Sequence, residues 1–257
     1  MRKSRRNQGE ILKSLIKIMN RKRVKKNNRK SFLFPITALF SLAICIVFAL
    51  VVVGGDETVY YLTQMNFIPD KKTVCIDPGH GGGSSGATLG SRYEKDDTLR
   101  LSLLVRNILE DRGYTVVMTR DDDSDVSLED RCKTANKERA SLFVSIHRNS
   151  STSKDATGVE MWIHSSNPTD DNLLAQNILD CFDTLGIMSN RGIHSGYRDG
   201  VNLNYYINRH TKMPSVLAEI GFISNKTDNK KYDDNLEKYA KSIADGIEMT
   251  LKEMYGE

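Results

Sequence analysis

Val74-Cys75-Ile76-Asp77-Pro78-Gly79-His80-Gly81-Gly82 carries a short apolar strand straight into a Pro/Gly-rich loop with one histidine at its mouth. Such a loop turns sharply and leaves an imidazole projecting at a strand end. Strand ends of this kind are where open α/β sheets place their chemistry. Three more titratable residues stand in comparable places: Glu94 ahead of a helical stretch, His147 after Leu142-Phe143-Val144-Ser145-Ile146, and Glu219 after Val216-Leu217-Ala218.

Around these points the hydrophobic periodicity alternates between two patterns. Thr73–Asp77, Tyr114–Thr119, Ser141–His147, Gly158–His164, Leu203–Ile207 and Pro214–Ile220 read as strands, and Asp97–Arg112, Ser127–Arg139, Asp170–Leu185 and Leu236–Met254 as helices. The fold class expected is α/β: a largely parallel twisted sheet of about six strands with helices on both faces. The domain is expected over 71–257, preceded by a spacer at 54–70, and no internal repeats are visible.

The formal charge of +4 is unevenly spread. Residues 1–30 hold 13 Lys and Arg against one acid, Glu10, a local charge of +12; the rest holds 24 bases against 32 acids, or −8. The basic character belongs to the tail (1–31), and an acidic globular part argues against nucleic-acid binding. Phe32 to Val53 is a run of 22 uncharged residues, long enough to cross a bilayer as a helix. Its basic flank and the following Asp56-Glu57 orient it with the N-terminus in the cytoplasm and the domain outside. A cleaved signal peptide, cut near Val53-Gly54-Gly55, is the alternative, although its apolar region would be shorter. Ile11, Leu12, Leu15, Ile16 and Met19 recur at helical spacing among basic residues, as in a segment lying on anionic lipid; a disordered basic tail fits the same composition.

Cys45, Cys75, Cys132 and Cys181 show no CxxC spacing, so no cysteine zinc site is expected. Cys75 reads as a small buried strand residue, and Cys132–Cys181 is a conceivable disulfide outside the cytoplasm.

Parallel strands bring their C-terminal ends to one edge, so His80, Glu94, His147 and Glu219 can converge. Two histidines and one carboxylate form a zinc set with a fourth position left for water; a further carboxylate can then move the water's proton. Each residue alone has a plain structural reading, as a loop histidine, a helix-start acid or a strand-end polar group. Glu219 is the least comfortable, because a carboxylate after a buried strand needs a partner.

Four blocks carry a family resemblance: Ile76-Asp77-Pro78-Gly79-His80-Gly81-Gly82; Tyr93-Glu94-Lys95; Ser145-Ile146-His147-Arg148-Asn149; and Met213-Pro214-Ser215-Val216-Leu217-Ala218-Glu219-Ile220-Gly221-Phe222-Ile223-Ser224-Asn225. Thr119-Arg120-Asp121 and Leu128-Glu129-Asp130-Arg131 before Ala135-Asn136 fit the connecting pattern. Over about Lys71 to Leu251 the chain resembles the zinc-dependent N-acetylmuramoyl-L-alanine amidases of the Amidase_3 family. The resemblance implies one Zn2+ on His80, Glu94 and His147, Glu219 as the catalytic glutamate, and peptidoglycan as substrate. The bond cut would be the amide between N-acetylmuramic acid and L-alanine of the stem peptide. It also implies a cell-wall location, and a monomer is expected. Arg209 matches a position often basic in the family and is a candidate substrate contact. Two departures stand out: Ser84 where the family usually has Asp, and Arg148 where it usually has a small residue; either could alter ligand orientation or the groove. The anchor-plus-domain layout resembles spore-cortex amidases, while the Met213–Asn225 block equally resembles vegetative autolysins. His164, His194 and His210 read as satisfied polar residues, and Tyr197, Tyr205 and Tyr206 as packing residues. Asp77 either orients His80 or caps the loop.

Overall fold

The computed structural model describes residues 67–198 and 204–256. The tail, the 32–53 segment and all of the spacer before Phe67 lie outside these residues. Among the described residues no helix is long and apolar enough to cross a membrane.

In chain order the elements are β1 (Asp70–Pro78), β2 (Thr88–Leu89), β3 (Arg92–Tyr93), α1 (Glu94–Asp111), β4 (Thr115–Met118), α2 (Leu128–Lys137), β5 (Ala140–Asn149), β6 (Val159–Ile163), α3 (Thr169–Leu185), β7 (Asn190–Ser195), α4 (Tyr206–His210), β8 (Ser215–Phe222), α5 (Lys226–Asp234) and α6 (Leu236–Tyr255). Six strands form one sheet in the order β4-β1-β5-β8-β6-β7. The four strands β4, β1, β5 and β8 are mutually parallel; β6 runs antiparallel to β8, and β7 follows β6 in parallel. The sheet is thus largely parallel, as expected, with a reversed pair at one edge.

Side chains alternate between the two faces with the strand's period of two. Val74, Ile76, Leu142, Val144, Val216, Ala218, Val159 and Met161 enter one core, which α1, α3 and α6 cover with Leu101, Val105, Leu174, Ile178, Ile243 and Ile247. Cys75, Phe143, Leu217 and Trp162 enter a smaller core on the opposite face, under Cys132 and Ala135 of α2, Ile207 of α4 and Met213. Helices therefore cover both faces. Toward the C-terminal ends of the parallel strands the second face changes from apolar to polar: Asp77 and Ser145 share one row, and His147, Glu219 and Glu160 the next.

Two strand expectations need correction. Leu203–Ile207 is not a strand in its described part: Tyr206–His210 forms α4, whose buried Ile207 and Asn208 plug the second core. Asn208 Nδ2 donates to Trp162 O at 2.8 Å, an anchorage that an added edge strand could not supply. The sixth strand is β7 instead, half-exposed at the sheet edge. Cys132 and Cys181 are both free thiols, because α2 and α3, which carry them, cover opposite faces.

Candidate metal centre and active site

The residues after β1 make a tight loop. Gly81 N donates to Ser84 O at 3.0 Å and Ser84 N to Gly81 O at 2.9 Å. His80 sits inside it with φ +62, in the left-handed region that disfavours a residue with a Cβ. Its Nδ1 is 3.0 Å from Ser84 Oγ and its Nε2 3.2 Å from Glu94 Oε2. Ser84, at the position where the family usually has Asp, thus supports the imidazole through its hydroxyl.

The two-stranded turn β2–β3 leads into α1, whose first residue is Glu94. The helix starts three residues earlier than its apolar pattern indicates, and Glu94, Asp96 and Asp97 occupy its first turn, where the helix dipole favours acids. Glu94 is 4% exposed. Its Oε1 is 2.9 Å from His147 Nδ1 and accepts from Arg148 N at 3.0 Å; its Oε2 accepts from Ala87 N at 2.8 Å. Burial pushes this carboxyl's pKa up, but hydrogen bonds and charge from His147 and His80 outweigh it and hold it well below the usual carboxylate range.

His147 comes from β5. The His80 and His147 rings meet edge to face with centroids 4.9 Å apart. Two glycines make room for this packing. A Cβ on Gly79 would lie 2.4 Å from His147 Cε1, and one on Gly86 would lie 2.6 Å from Glu94 Oε2 and 2.7 Å from His80 Cδ2. One nitrogen of each histidine and one oxygen of Glu94 lie within 4.8 Å of one another, a donor set able to hold a metal ion. Two imidazoles and one carboxylate leave one tetrahedral position open, so the residues present fit zinc.

Glu219 is the rung partner of His147 on β8. It is 8% exposed, and its Oε2 has no hydrogen-bond partner among the described residues. Burial first, and then the charge of Glu94, push its pKa well above the ordinary value; Arg198 works the other way. Glu160, next on the same rung, is treated in the opposite manner. It accepts from Asn149 Nδ2 at 2.6 Å, Trp162 Nε1 at 3.1 Å and Arg191 Nε at 2.7 Å. Burial raises its pKa, yet Arg191 and Trp162 more than compensate and keep it low. Two neighbouring carboxylates with pKa values driven apart have separate roles: one is saturated and structural, the other is left with an open oxygen.

The four residues line a cleft of about 780 Å3. Tyr197, Arg198, Tyr205 and Tyr206 form part of its wall. Tyr197 and Tyr205 pack on each other with centroids 4.7 Å apart, and Tyr205 meets Trp162 edge-on. Arg209 is exposed on α4 and is not among the lining residues; the basic side chain in that wall is Arg198, which donates to Asn149 Oδ1 and Ser150 O. Sequence reading passed over Arg198 and Glu160, since neither stands in a motif that separates it from ordinary polar residues, and gave Asn149 no role although it closes the Ser145–Asn149 block. His164 is buried with Nδ1 2.9 Å from Ser166 Oγ, His194 stacks on Trp162, and His210 Nδ1 contacts Tyr206 O. Arg148 borders the cleft, but its guanidinium is buried away from it. Alternation turns it to the opposite face from His147, where Nη1 donates to Asp97 Oδ2 at 2.6 Å, Nη2 to Asn229 Oδ1 at 2.7 Å, and the guanidinium lies over Tyr232.

A three-donor cluster beside a buried carboxylate with an open oxygen, at the C-terminal edge of an α/β sheet, is the equipment of a hydrolase. The chain belongs to the Amidase_3 family, N-acetylmuramoyl-L-alanine amidase, with the match running over residues 74–249. It is 36% identical over 184 residues to the probable cell wall amidase LytH of Staphylococcus aureus, covering 69% of this chain and 58% of that protein. The chain therefore spans 58% of the length of the curated relatives it matches. Among solved structures it is similar to the catalytic domain of CwlV, an N-acetylmuramoyl-L-alanine amidase from Bacillus (Paenibacillus) polymyxa var. colistinus, at 36% identity, 70% of this chain, 98% of that one and a TM-score of 0.63. It is also similar to the CwlD amidase of Clostridioides difficile, solved in complex with the GerS lipoprotein, at 30% identity, 70% and 98% coverage and a TM-score of 0.64.

Proposed function

We propose that this chain hydrolyses the amide between the lactyl group of N-acetylmuramic acid and L-alanine of the stem peptide, in cell-wall or spore-cortex remodelling. The observation that carries this reading is the donor set of His80, Glu94 and His147 with Glu219 on the adjacent rung, in a member of an amidase family. His80, Glu94 and His147 would hold one Zn2+, which when bound polarises a carbonyl and acidifies water. Glu219 accepts a proton from the attacking water as the carbonyl carbon gains its new oxygen. It then delivers that proton to the alanine nitrogen as the C–N bond breaks, leaving a carboxylate and a free amine. The walls at Tyr197, Tyr205 and Tyr206 orient the glycopeptide, and Arg209 on the exposed side of α4 would meet parts of the substrate that extend beyond the cleft.

Residues 32–53 would tether the protein in the cell membrane, with the basic tail in the cytoplasm and the catalytic domain facing the wall as a monomer. The direct test is digestion of purified peptidoglycan by the purified full-length protein. Amidase action frees L-alanine amino termini without new reducing sugar ends. New termini from within the stem peptide would make the chain a peptidase instead.

A further inference from the structure

Arg131 of α2 is 3% exposed and directs both terminal nitrogens of its guanidinium at the strand-to-loop junction that presents His80. Nη1 donates to Asp77 Oδ1 at 2.6 Å and to Pro78 O at 2.7 Å, Nη2 to His80 O at 2.6 Å, and Nε to Val126 O at 3.0 Å. Asp77 is fixed from its other sides by Thr119 Oγ1 at 2.5 Å and Ser145 Oγ at 2.6 Å. Arg131 thus links the Asp77 carboxylate to the His80 carbonyl. A second buried arginine, Arg120, donates to Pro78 O at 2.9 Å, and its Nη2 reaches both Gly79 O at 2.8 Å and Lys95 O at 2.9 Å. Carbonyls of three successive residues, 78 to 80, are thus held by two guanidinium groups, and the second ties the loop to the residue after Glu94.

His80 needs such holding. Its left-handed backbone is unfavourable for a residue with a Cβ and persists only where the surroundings over-determine it. A planar guanidinium can serve a carboxylate and two carbonyls in one fixed geometry; an ammonium cannot.

We propose that Arg131, anchored by Asp77, is a positioning residue for the metal site: it fixes the left-handed backbone of His80 and so sets where that imidazole meets Glu94 and His147. The proposal rests on the reading of His80 as a metal ligand, and its test separates the two. The probe is Zn2+ itself, titrated into the full-length, detergent-purified protein in competition with a chromophoric chelator. Arg131→Lys keeps a cation for Asp77 and loses the second prong to His80 O. It is expected to fold and to bind zinc 10–100-fold more weakly, with faster release, as is usual when a residue orienting a ligand is changed. Thr119→Val removes another bond to the same Asp77 carboxylate without touching His80 and is expected to keep wild-type zinc affinity. If Arg131→Lys does not fold, the pair Asp77→Asn with Arg131→Met removes both buried charges together, leaves neither stranded, and is expected to show the same loss. Wild-type zinc affinity in a folded Arg131→Lys or pair variant overturns the proposal, as does an equal loss in Thr119→Val. A wild-type chain that takes up no zinc overturns the ligand reading and the proposal together.

Discussion

His147 and Glu219 occupy one rung of the sheet, paired in parallel register on β5 and β8. Neighbouring strands lie about 4.8 Å apart, so the candidate ligand and the candidate proton carrier are side by side on the face that opens into the cleft. Glu219→Gln keeps size and polarity but cannot carry a proton. Zinc content and melting temperature are expected to stay near wild type, while release of L-alanine amino termini falls about 10²–10⁴-fold. Near-normal turnover would move proton transfer to another group. Loss of zinc would make Glu219 a ligand and leave Glu94 in need of a different role.

Gly79 is required by space, since a Cβ there would overlap the His147 ring at 2.4 Å. Gly79→Ala is expected to displace that imidazole and to cost about 1–3 kcal/mol of stability, as overpacking does. Zinc bound per chain after dialysis and the urea midpoint report the two effects. A variant with full zinc and full activity would show that the loop yields freely, against the tight packing found here.

Asp171, in the first turn of α3, is 1% exposed, and its Oδ2 has no partner among the described residues. Burial pushes its pKa up to about 8, against the pull of the Ser215 and His164 backbone N–H groups. The folded state therefore holds a proton that the unfolded chain releases near pH 3.9. Its contribution to stability is complete below that pH and is lost as pH rises through about 8. Asp171→Asn, which cannot ionise, is expected to melt above wild type at pH 8–9, with the difference closing toward pH 4. Parallel melting curves across that range would refute the assignment.

Full-length protein is expected to pellet with membranes, and protease added to protoplasts to digest the catalytic domain. A mature form beginning near Asp56 in the medium would favour a cleaved signal.

How much of this was legible in the sequence depended on whether burial left a pattern. Val74–Ile76, Leu142–Ile146 and Val216–Ala218 are buried on both faces and read as apolar blocks, and His80, His147 and Glu219 fall where those blocks end. Strand direction leaves no such trace, so the reversal of β6 was invisible. β7 is an edge strand in which Ile193 is the one large apolar residue, too weak a signal to register. In α5 only Tyr232 is both apolar and buried, and that helix is set instead by Asn225, whose side chain accepts from Thr227 N and Asp228 N. Tyr205-Tyr206-Ile207 has strand composition, yet tertiary packing makes its latter part helical. Arg148 stood out as a departure from the small residue usual after the second histidine, able to alter ligand orientation or the groove; the pleat turns adjacent residues to opposite faces, so its guanidinium belongs to the layer under α1.

That pleat also makes the site a guardian of the fold. A slip of β8 by one residue would exchange the surroundings of Ala218 and Glu219. It would drive a carboxylate into the layer of Val144, Val159 and Ile178, where no partner awaits it. The same slip would erase the His147–Glu219 pairing. A misaligned chain is thus penalised in energy and silenced in chemistry at once, so turnover becomes an assay of strand registration, sensitive to errors that overall helix and strand content would not reveal.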